Sequence, residues 1–283
     1  MTNDAAAPNA AQAANWNGPN GQVWVQMQDA LDRELADLGR AAEKALAAQP
    51  GERILDIGCG CGTTTLAIAQ TVGRHGEALG LDLSRQMLEV GRRRATEAGL
   101  AQARFVEADA QVHRPEPAGY DAAYSRFGVM LFADPAAAFA NIAASLRSGG
   151  RMALAVWRTP AENPAMSLPL AVAGHLLPAM PPADPLAPGP FAFADPLRIR
   201  RVLGEAGLQH VEIAPYDVKT SAGGLDESVA LYTRIGPVGR ALRENPHLQE
   251  AVAAAVREAL APFDTAQGVK LDAGAWIVTA STP

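Results

Sequence analysis

The sequence predicts an α/β fold built on a mostly parallel sheet with helices on both faces. Between Gly51 and Trp157, short apolar runs of strand length alternate with helix-period segments for about five rounds. The first run, RILDIGCG, ends in glycines, as a buried parallel strand does where it turns into a helix. Apolar residues make up 48% of the chain and charged ones 19%, enough to build a real core. A length of 283 residues suits one large domain or one domain carrying a lid.

The elements follow in order. The first fifteen or so residues are rich in Ala, Asn and Pro and read as loose. From Gly21 to Gln49 the pattern is helical: Leu31, Leu35, Leu38, Ala42 and Leu46 mark one apolar face, and Pro50-Gly51 stops it. After RILDIGCG comes a helix, TTTLAIAQTV, and a second strand, EALGLDLS. Ser84 caps the next helix, which Gly99 ends. ARFVEADA and YDAAYSRF are the third and fourth strands. Asp134-Pro135 opens another helix by pairing a side-chain cap with proline at the first helical position. RMALAVW is the fifth strand. The stretch from Thr159 to Pro190 is Pro-rich and reads as a linker or a long loop over a site. Asp195-Pro196 opens a further helix, VEIAPYDV is a sixth strand, and two helical segments, Asp226 to Arg243 and His247 to Ala261, precede AWIVTAST as the seventh.

Composition excludes several classes. A net charge of -6 with no Lys/Arg block argues against nucleic acid. No stretch has the apolar length that a membrane span needs. The amino-terminal MTNDAAAPNAAQAAN lacks the positive start and apolar core of a signal peptide, so the cytoplasm is the expected location. Cys59 and Cys61 are the only cysteines; a disulfide between them is not expected, and no neighbouring ligands suggest a metal.

The informative stretch is Asp56-Ile57-Gly58-Cys59-Gly60-Cys61-Gly62, at the end of the first strand. Glycines there let the backbone turn sharply and approach a ligand. Asp82 ends the second strand, where a carboxylate can accept hydrogen bonds from both ribose hydroxyls of an adenosine. The dinucleotide fingerprint G-x-G-x-x-G is not met: the third glycine comes one position early, and Thr63 takes its place. A carboxylate at Asp56 would be disfavoured beside a pyrophosphate and favoured beside the ammonium of a methionine moiety. The sign of the charge selects S-adenosylmethionine (SAM) over NAD(P).

ILDIGCGCG, GLDLS, FVEADA and LRSGGRMALAVW resemble the successive motifs of class I SAM-dependent methyltransferases, and are similar within them to the ubiquinone/menaquinone-biosynthesis branch. The resemblance is good from Gly51 to Trp157 and looser beyond. It implies a Rossmann-like seven-stranded sheet whose last strand is antiparallel and lies beside the fifth. It also implies cofactor roles: the glycine loop (Gly58, Cys59, Gly60, Gly62) under the methionine part, Asp82 on the ribose, Leu83 and Met87 against the adenine, Asp109 with Ala110 at its amino edge, and Ser125 near the methionine carboxylate or the methyl group. The product would be S-adenosylhomocysteine. The Asn-Pro-Pro-aromatic signature of many amino-group methyltransferases is absent; Ser125-Arg126-Phe127-Gly128 stands there. The acidic metal set of catechol-type enzymes is not found either, so neither a nucleobase substrate nor a metal is expected.

Methyl transfer is in-line displacement, driven largely by proximity and exclusion of water; a thiolate, a carbanion-like ring or a neutral amine needs no dedicated base, whereas an alcohol or phenol acceptor would want one. His113, Tyr124 and Arg126 are the candidates for catalysis; against this, His113 reads as an exposed loop residue, and Tyr124 and Arg126 as a core residue and a salt-bridge partner on the face opposite Ser125. Trp16, Trp24, Arg126 and Phe127 are the candidates for acceptor contact. One domain is expected, divided into an amino-terminal helical lid (1–50), a SAM-binding core (51–157), a Pro-rich insertion (158–194) and a carboxy-terminal part with further lid helices (195–283). Met166, Leu168, Leu170, Leu176, Leu177, Phe191 and Phe193 either line an apolar acceptor pocket or pack the lid onto the sheet. The apolar helix around Val252–Val256 offers a surface for a homodimer. The alternatives are an NAD(P)-dependent oxidoreductase and a non-catalytic SAM-binding protein.

Overall fold

The computed structural model describes residues 8–179 and 184–283. Three helices come first: α1 (Ala10–Asn17), α2 (Pro19–Gln26) and α3 (Gln28–Leu46). The alternating core follows with β1 (Arg53–Ile57), α4 (Thr63–Val72), β2 (Glu77–Asp82), α5 (Arg85–Glu97), β3 (Ala103–Glu107), β4 (Tyr120–Arg126), α6 (Pro135–Ala143) and β5 (Leu146–Trp157). The remainder comprises α7 (Pro164–Ala173), α8 (Pro196–Glu205), β6 (Gln209–Thr220), α9 (Leu225–Tyr232), α10 (Gly236–Glu244), α11 (Gln249–Leu260), a small hairpin of β7 (Asp264–Thr265) and β8 (Gly268–Val269), and β9 (Leu271–Ser281).

The main sheet has seven strands in the order β3-β2-β1-β4-β5-β9-β6. Its pairs are parallel except those of β9, which runs antiparallel between β5 and β6. The period-two alternation of the strands sends Leu55, Ile57, Leu79 and Leu81 to one face, where they meet Phe139 and Ile142 of α6 and Ile199 and Leu203 of α8. Ile54, Ala78, Ala122 and Tyr124 go to the other, against Ile68 and Val72 of α4 and Leu88 of α5. Pro215 sits in β6, an edge strand, where a missing amide does least harm to the ladder.

Local capping works as the residue types require. Asp134 accepts from the Ala137 amide at 3.0 Å, and Asp195 from that of Leu197 at 2.8 Å. Each sits ahead of a proline at the first helical position.

Four expectations are corrected. The amino-terminal segment, whose residues 1–7 lie outside the described residues, is helical from Ala10 and anchored to the sheet edge from Asn9 onward, because its polar groups find partners there. The Pro-rich stretch, of which 180–183 lie outside the described residues, contains α7. Pro164 starts that helix where no amide is needed, and Ala165, Pro169 and Ala173 are buried in it. The buried Asn163 side chain holds the segment to β9, donating to the Gly274 carbonyl and accepting from its amide, both at 3.0 Å. The expected helix from Asp226 to Arg243 is two helices, broken where Gly236 takes a φ of 61° ahead of Pro237. Val252 and Val256, from the stretch expected above to offer a homodimer surface, instead turn into the chain, in a second apolar core that includes Ala173, Val229 and Leu242.

α3 is not peripheral. Leu35 and Leu38 join the main core, and Ala42 and Leu46 the core on the other sheet face. Glu34 of the same helix is buried and accepts a hydrogen bond from the Tyr232 hydroxyl of α9 at 2.6 Å. Burial pushes its carboxyl up to about 7, partly offset by that hydrogen bond. A raised carboxyl favours the fold fully below its unfolded value near 4.5, and that contribution is lost as pH rises to about 7. Glu34→Gln, which stays neutral and still accepts from Tyr232, is expected to match wild-type stability near pH 4.5. Above pH 7 it should exceed it by up to about 3 kcal/mol, as the size of the shift implies. Urea denaturation across that pH range measures the difference.

Candidate functional site

The carboxyl ends of β1, β2, β3 and β4 lie along one edge of the sheet, and the glycine loop turns over it from β1 into α4. The loop is pressed against the turn that follows β4. A Cβ on Gly58, which has a φ of 69°, would stand 2.6 Å from Gly128 Cα; one on Gly128 would stand 2.6 Å from the Ile57 carbonyl oxygen. Ser125, buried between them, donates to the Ile57 carbonyl at 2.7 Å and accepts from the Gly128 amide at 3.2 Å. Phe127 takes the left-handed φ of 61° in this turn and stacks on Trp157, with centroids 3.9 Å apart and planes 8° from parallel.

Asp82 closes the other side of the loop. Its Oδ2 accepts from the Gly60 amide and its Oδ1 from the Ser84 amide, each at 2.8 Å. Burial raises its pKa, and the backbone donors oppose the rise. Each oxygen keeps lone pairs for further donors. Beside it Cys61, Met87 and Val90 form a small apolar wall with Trp16, Trp24 and Val25 packed on it. Trp16 and Trp24 meet edge to face at 5.5 Å. Leu83 is half-buried, and its carbonyl accepts from the Asn17 side chain at 2.8 Å.

Asp56 lies beneath the loop, fully enclosed. Its Oδ2 accepts from the Thr64 and Thr65 hydroxyls at 2.7 and 2.6 Å, while the buried Oδ1 has no partner among the described residues. Burial lifts its pKa to about 6 against the opposing pull of the two hydroxyls and Arg126. Asp109, past the end of β3, accepts from the Gln111 amide and from the Asn9 carboxamide. Ala110 is buried next to it.

The remaining candidates fall elsewhere. Tyr124 is fully buried with its hydroxyl donating to the Gly39 carbonyl of α3 at 3.1 Å, and burial drives its pKa far up. Arg126 pairs with Asp32 of α3 at 3.4 Å. His113 is exposed on the loop between β3 and β4. Among the described residues no cluster of His, Cys, Asp and Glu side chains is arranged to hold a metal ion.

Sequence reading missed Asp32 and its partners. The Asp32 carboxylate accepts the Thr63 hydroxyl at 2.6 Å and faces Arg94 and Arg126, and Arg94 also donates to the Cys61 carbonyl at 3.0 Å. This network ties α3 to the glycine loop and α5. The run Thr63-Thr64-Thr65 directly after the last glycine was the available signal, since hydroxyls at a helix start serve nearby carboxylates. Asn9, Gln111 and Trp157 carried none.

Residues 54–150 match the family described as a methyltransferase domain. The chain is 36% identical over 132 residues to the aklanonic acid methyltransferase of Streptomyces sp. (strain C5), covering 47% of this chain and 57% of that protein. It is 37% identical over 120 residues to the demethylmenaquinone methyltransferase of Clavibacter sepedonicus, covering 42% and 47%. The chain thus spans about half the length of the curated relatives it matches. Among solved structures, the YcgJ protein of Bacillus subtilis superposes with a TM-score of 0.58 at 19% identity, over 87% of this chain and 97% of that one, a likeness of fold.

Burial raises the Cys61 thiol to about 12 and the Cys59 thiol well above its usual range, and both are free. Neither should be alkylated by iodoacetamide at pH 8 in the native protein, and both should be in urea, as read by mass spectrometry. Gly58→Ala should cost about 2–4 kcal/mol of stability, from the strained φ and the clash with Gly128, measured by denaturant midpoint.

Proposed function

We propose that the chain is a SAM-dependent methyltransferase acting on a small-molecule acceptor; the match of residues 54–150 to a methyltransferase-domain family and the seven-stranded sheet support it. The observation that carries this reading is Asp82. Its carboxylate is held by the Gly60 and Ser84 amides at the end of β2, over a glycine loop, with an apolar wall at its side. That combination suits a ribose diol joined to a flat purine.

The residues present fit the cofactor. Asp82 would accept from the ribose hydroxyls, with Leu83 and Met87 against the adenine and Asp109 and Ala110 at its amino edge. The unpartnered Asp56 Oδ1 is the one buried acceptor beneath the loop without a donor among the described residues, and an ammonium is the group that would satisfy it. When bound, SAM supplies an electrophilic methyl group on a sulfonium. Ser125 holds the β4 turn against the loop, and Trp16 and Trp24 exclude water from this edge. The buried Tyr124 and the exposed His113 are poorly suited to act as a base. Catalysis then rests on proximity and desolvation.

We propose an aromatic, largely apolar acceptor. The Phe127–Trp157 stack at the carboxyl ends of β4 and β5, and Trp24, which packs against three apolar clusters, support this reading. So do the names of the two relatives, which act on aklanonic acid and demethylmenaquinone. Among the described residues no helix is long and apolar enough to cross a membrane.

Calorimetric titration with SAM, S-adenosylhomocysteine and NADH tests the cofactor. Both sulfur nucleotides should bind, and Asp82→Ala should weaken them at least tenfold, the equivalent of about 1.4 kcal/mol for one charge-assisted hydrogen bond. Binding of NADH instead would replace this reading by an oxidoreductase. SAM binding without methyl transfer to any of a panel of aromatic acceptors, followed by mass spectrometry, would leave a non-catalytic binder. Affinity should also depend on pH through Asp56. Above about 6 the carboxylate is ionised and binding is constant; below it, protonation should weaken SAM roughly tenfold per pH unit, a slope that Asp56→Asn removes.

A further inference from the structure

Asn9 is 4% exposed although it precedes α1, a helix that buries none of its own residues. Its carboxamide uses both of its ends. The Nδ2 donates to both Asp109 oxygens and to Gln111 Oε1, each at 3.0 Å, and the Oδ1 accepts from the Ala133 amide at 2.8 Å. The receiving groups are themselves preset: the Gln111 amide donates to Asp109 Oδ1 at 2.9 Å, and the Asp134 amide to Gln111 Oε1 at 3.1 Å. Asp109, Gln111 and the Ala133 amide therefore form a site that reads an amino donor next to an acceptor.

The amidine edge of adenine carries that pattern, its exocyclic amino group beside N1, and a carboxamide reproduces it in shape and polarity. We propose that Asn9 occupies the adenine-edge subsite and competes with the cofactor for it, so that cofactor entry requires the Asn9 end of the strap of residues 8–17 to withdraw. This rests on the reading of Asp109 given above, and extends the subsite to Gln111 and the Ala133 amide. The rest of the strap is tethered at the rim. The Trp16 carbonyl accepts from the Ser84 hydroxyl at 2.8 Å and from the Gln86 side chain at 3.0 Å, and the Asn17 carbonyl oxygen of the side chain accepts from the Arg85 amide at 3.0 Å. Trp16 is the α1 side chain that packs on an apolar cluster and no α1 residue is fully buried, so the Asn9 end is held by hydrogen bonds that a ligand bearing the same edge can replace, while the Trp16–Asn17 end remains attached.

The test compares wild type with Asn9→Ala, using S-adenosylhomocysteine as the probe, by calorimetry and by hydrogen exchange of residues 8–17. Competition predicts that Asn9→Ala binds the probe roughly tenfold tighter, the scale of a displaced hydrogen-bonded group. It also predicts that saturating probe accelerates exchange in residues 8–17 of the wild type. Equal or weaker binding by Asn9→Ala overturns the proposal, as does slower exchange in the strap, which would mean that the strap clasps the cofactor. Failure of both proteins to bind the probe overturns the cofactor reading and the competition with it, a result distinct from equal binding by both.

Discussion

At the carboxyl edge of the sheet the backbones of Gly58 and Gly128 approach so closely that neither tolerates a Cβ. This contact couples the loop after β1 to the turn after β4, and Ser125 locks it from beneath with one donated and one accepted hydrogen bond. The strained Phe127 follows from it, because the chain must reverse at once to bring Gly128 against the loop, and the flat Phe127–Trp157 stack follows in turn. The aromatic surface at the ends of β4 and β5 is thus built by the same constraint that shapes the glycine loop.

The acids around the glycine loop and in α3 are stabilised by different means, and the differences match their positions. Asp82 has backbone donors on both oxygens, so its orientation is set by the loop itself. Asp56 has two hydroxyls on one oxygen and none on the other, which leaves an enclosed acceptor under the loop. Asp32 faces two arginines and the Thr63 hydroxyl, and so fastens α3 where α4 begins. Glu34, two residues further along α3, meets only a tyrosine hydroxyl, and burial leaves its carboxyl raised.

The helices outside the alternating core make a second apolar cluster rather than a loose cover. α7, α9, α10 and α11 pack on one another around Ala173, Val229, Val238 and Val256, and Trp24 and Met27 from the amino-terminal helices reach into the same cluster. Asn163 fixes the insertion to β9 through both groups of Gly274. These helices are consequently a packed body attached to the last strand, with their apolar side chains largely spent on their own cohesion.

Much of this was legible in the residues. The strand-helix alternation, the caps at Ser84, Asp134 and Asp195, and the buried face of α3 all follow from periodicity and local hydrogen bonding, which depend on neighbours in the chain. The glycine loop and Asp82 were readable for the same reason: a turn with positive φ and an acid at a strand end are local requirements. What lay beyond reach was set by contacts between distant segments. Asn9 meets Asp109 across 100 positions, Tyr232 meets Glu34 across 198, and Asn163 meets Gly274 across 111. α7 formed against a proline-rich composition because its burial on α11 outweighs a weak propensity, and no window of sequence contains both partners. The sequence alone therefore determined the sheet and the chemistry of its carboxyl edge; the tertiary structure decided which side chains close over that edge, because each of those contacts pairs residues that only folding brings together.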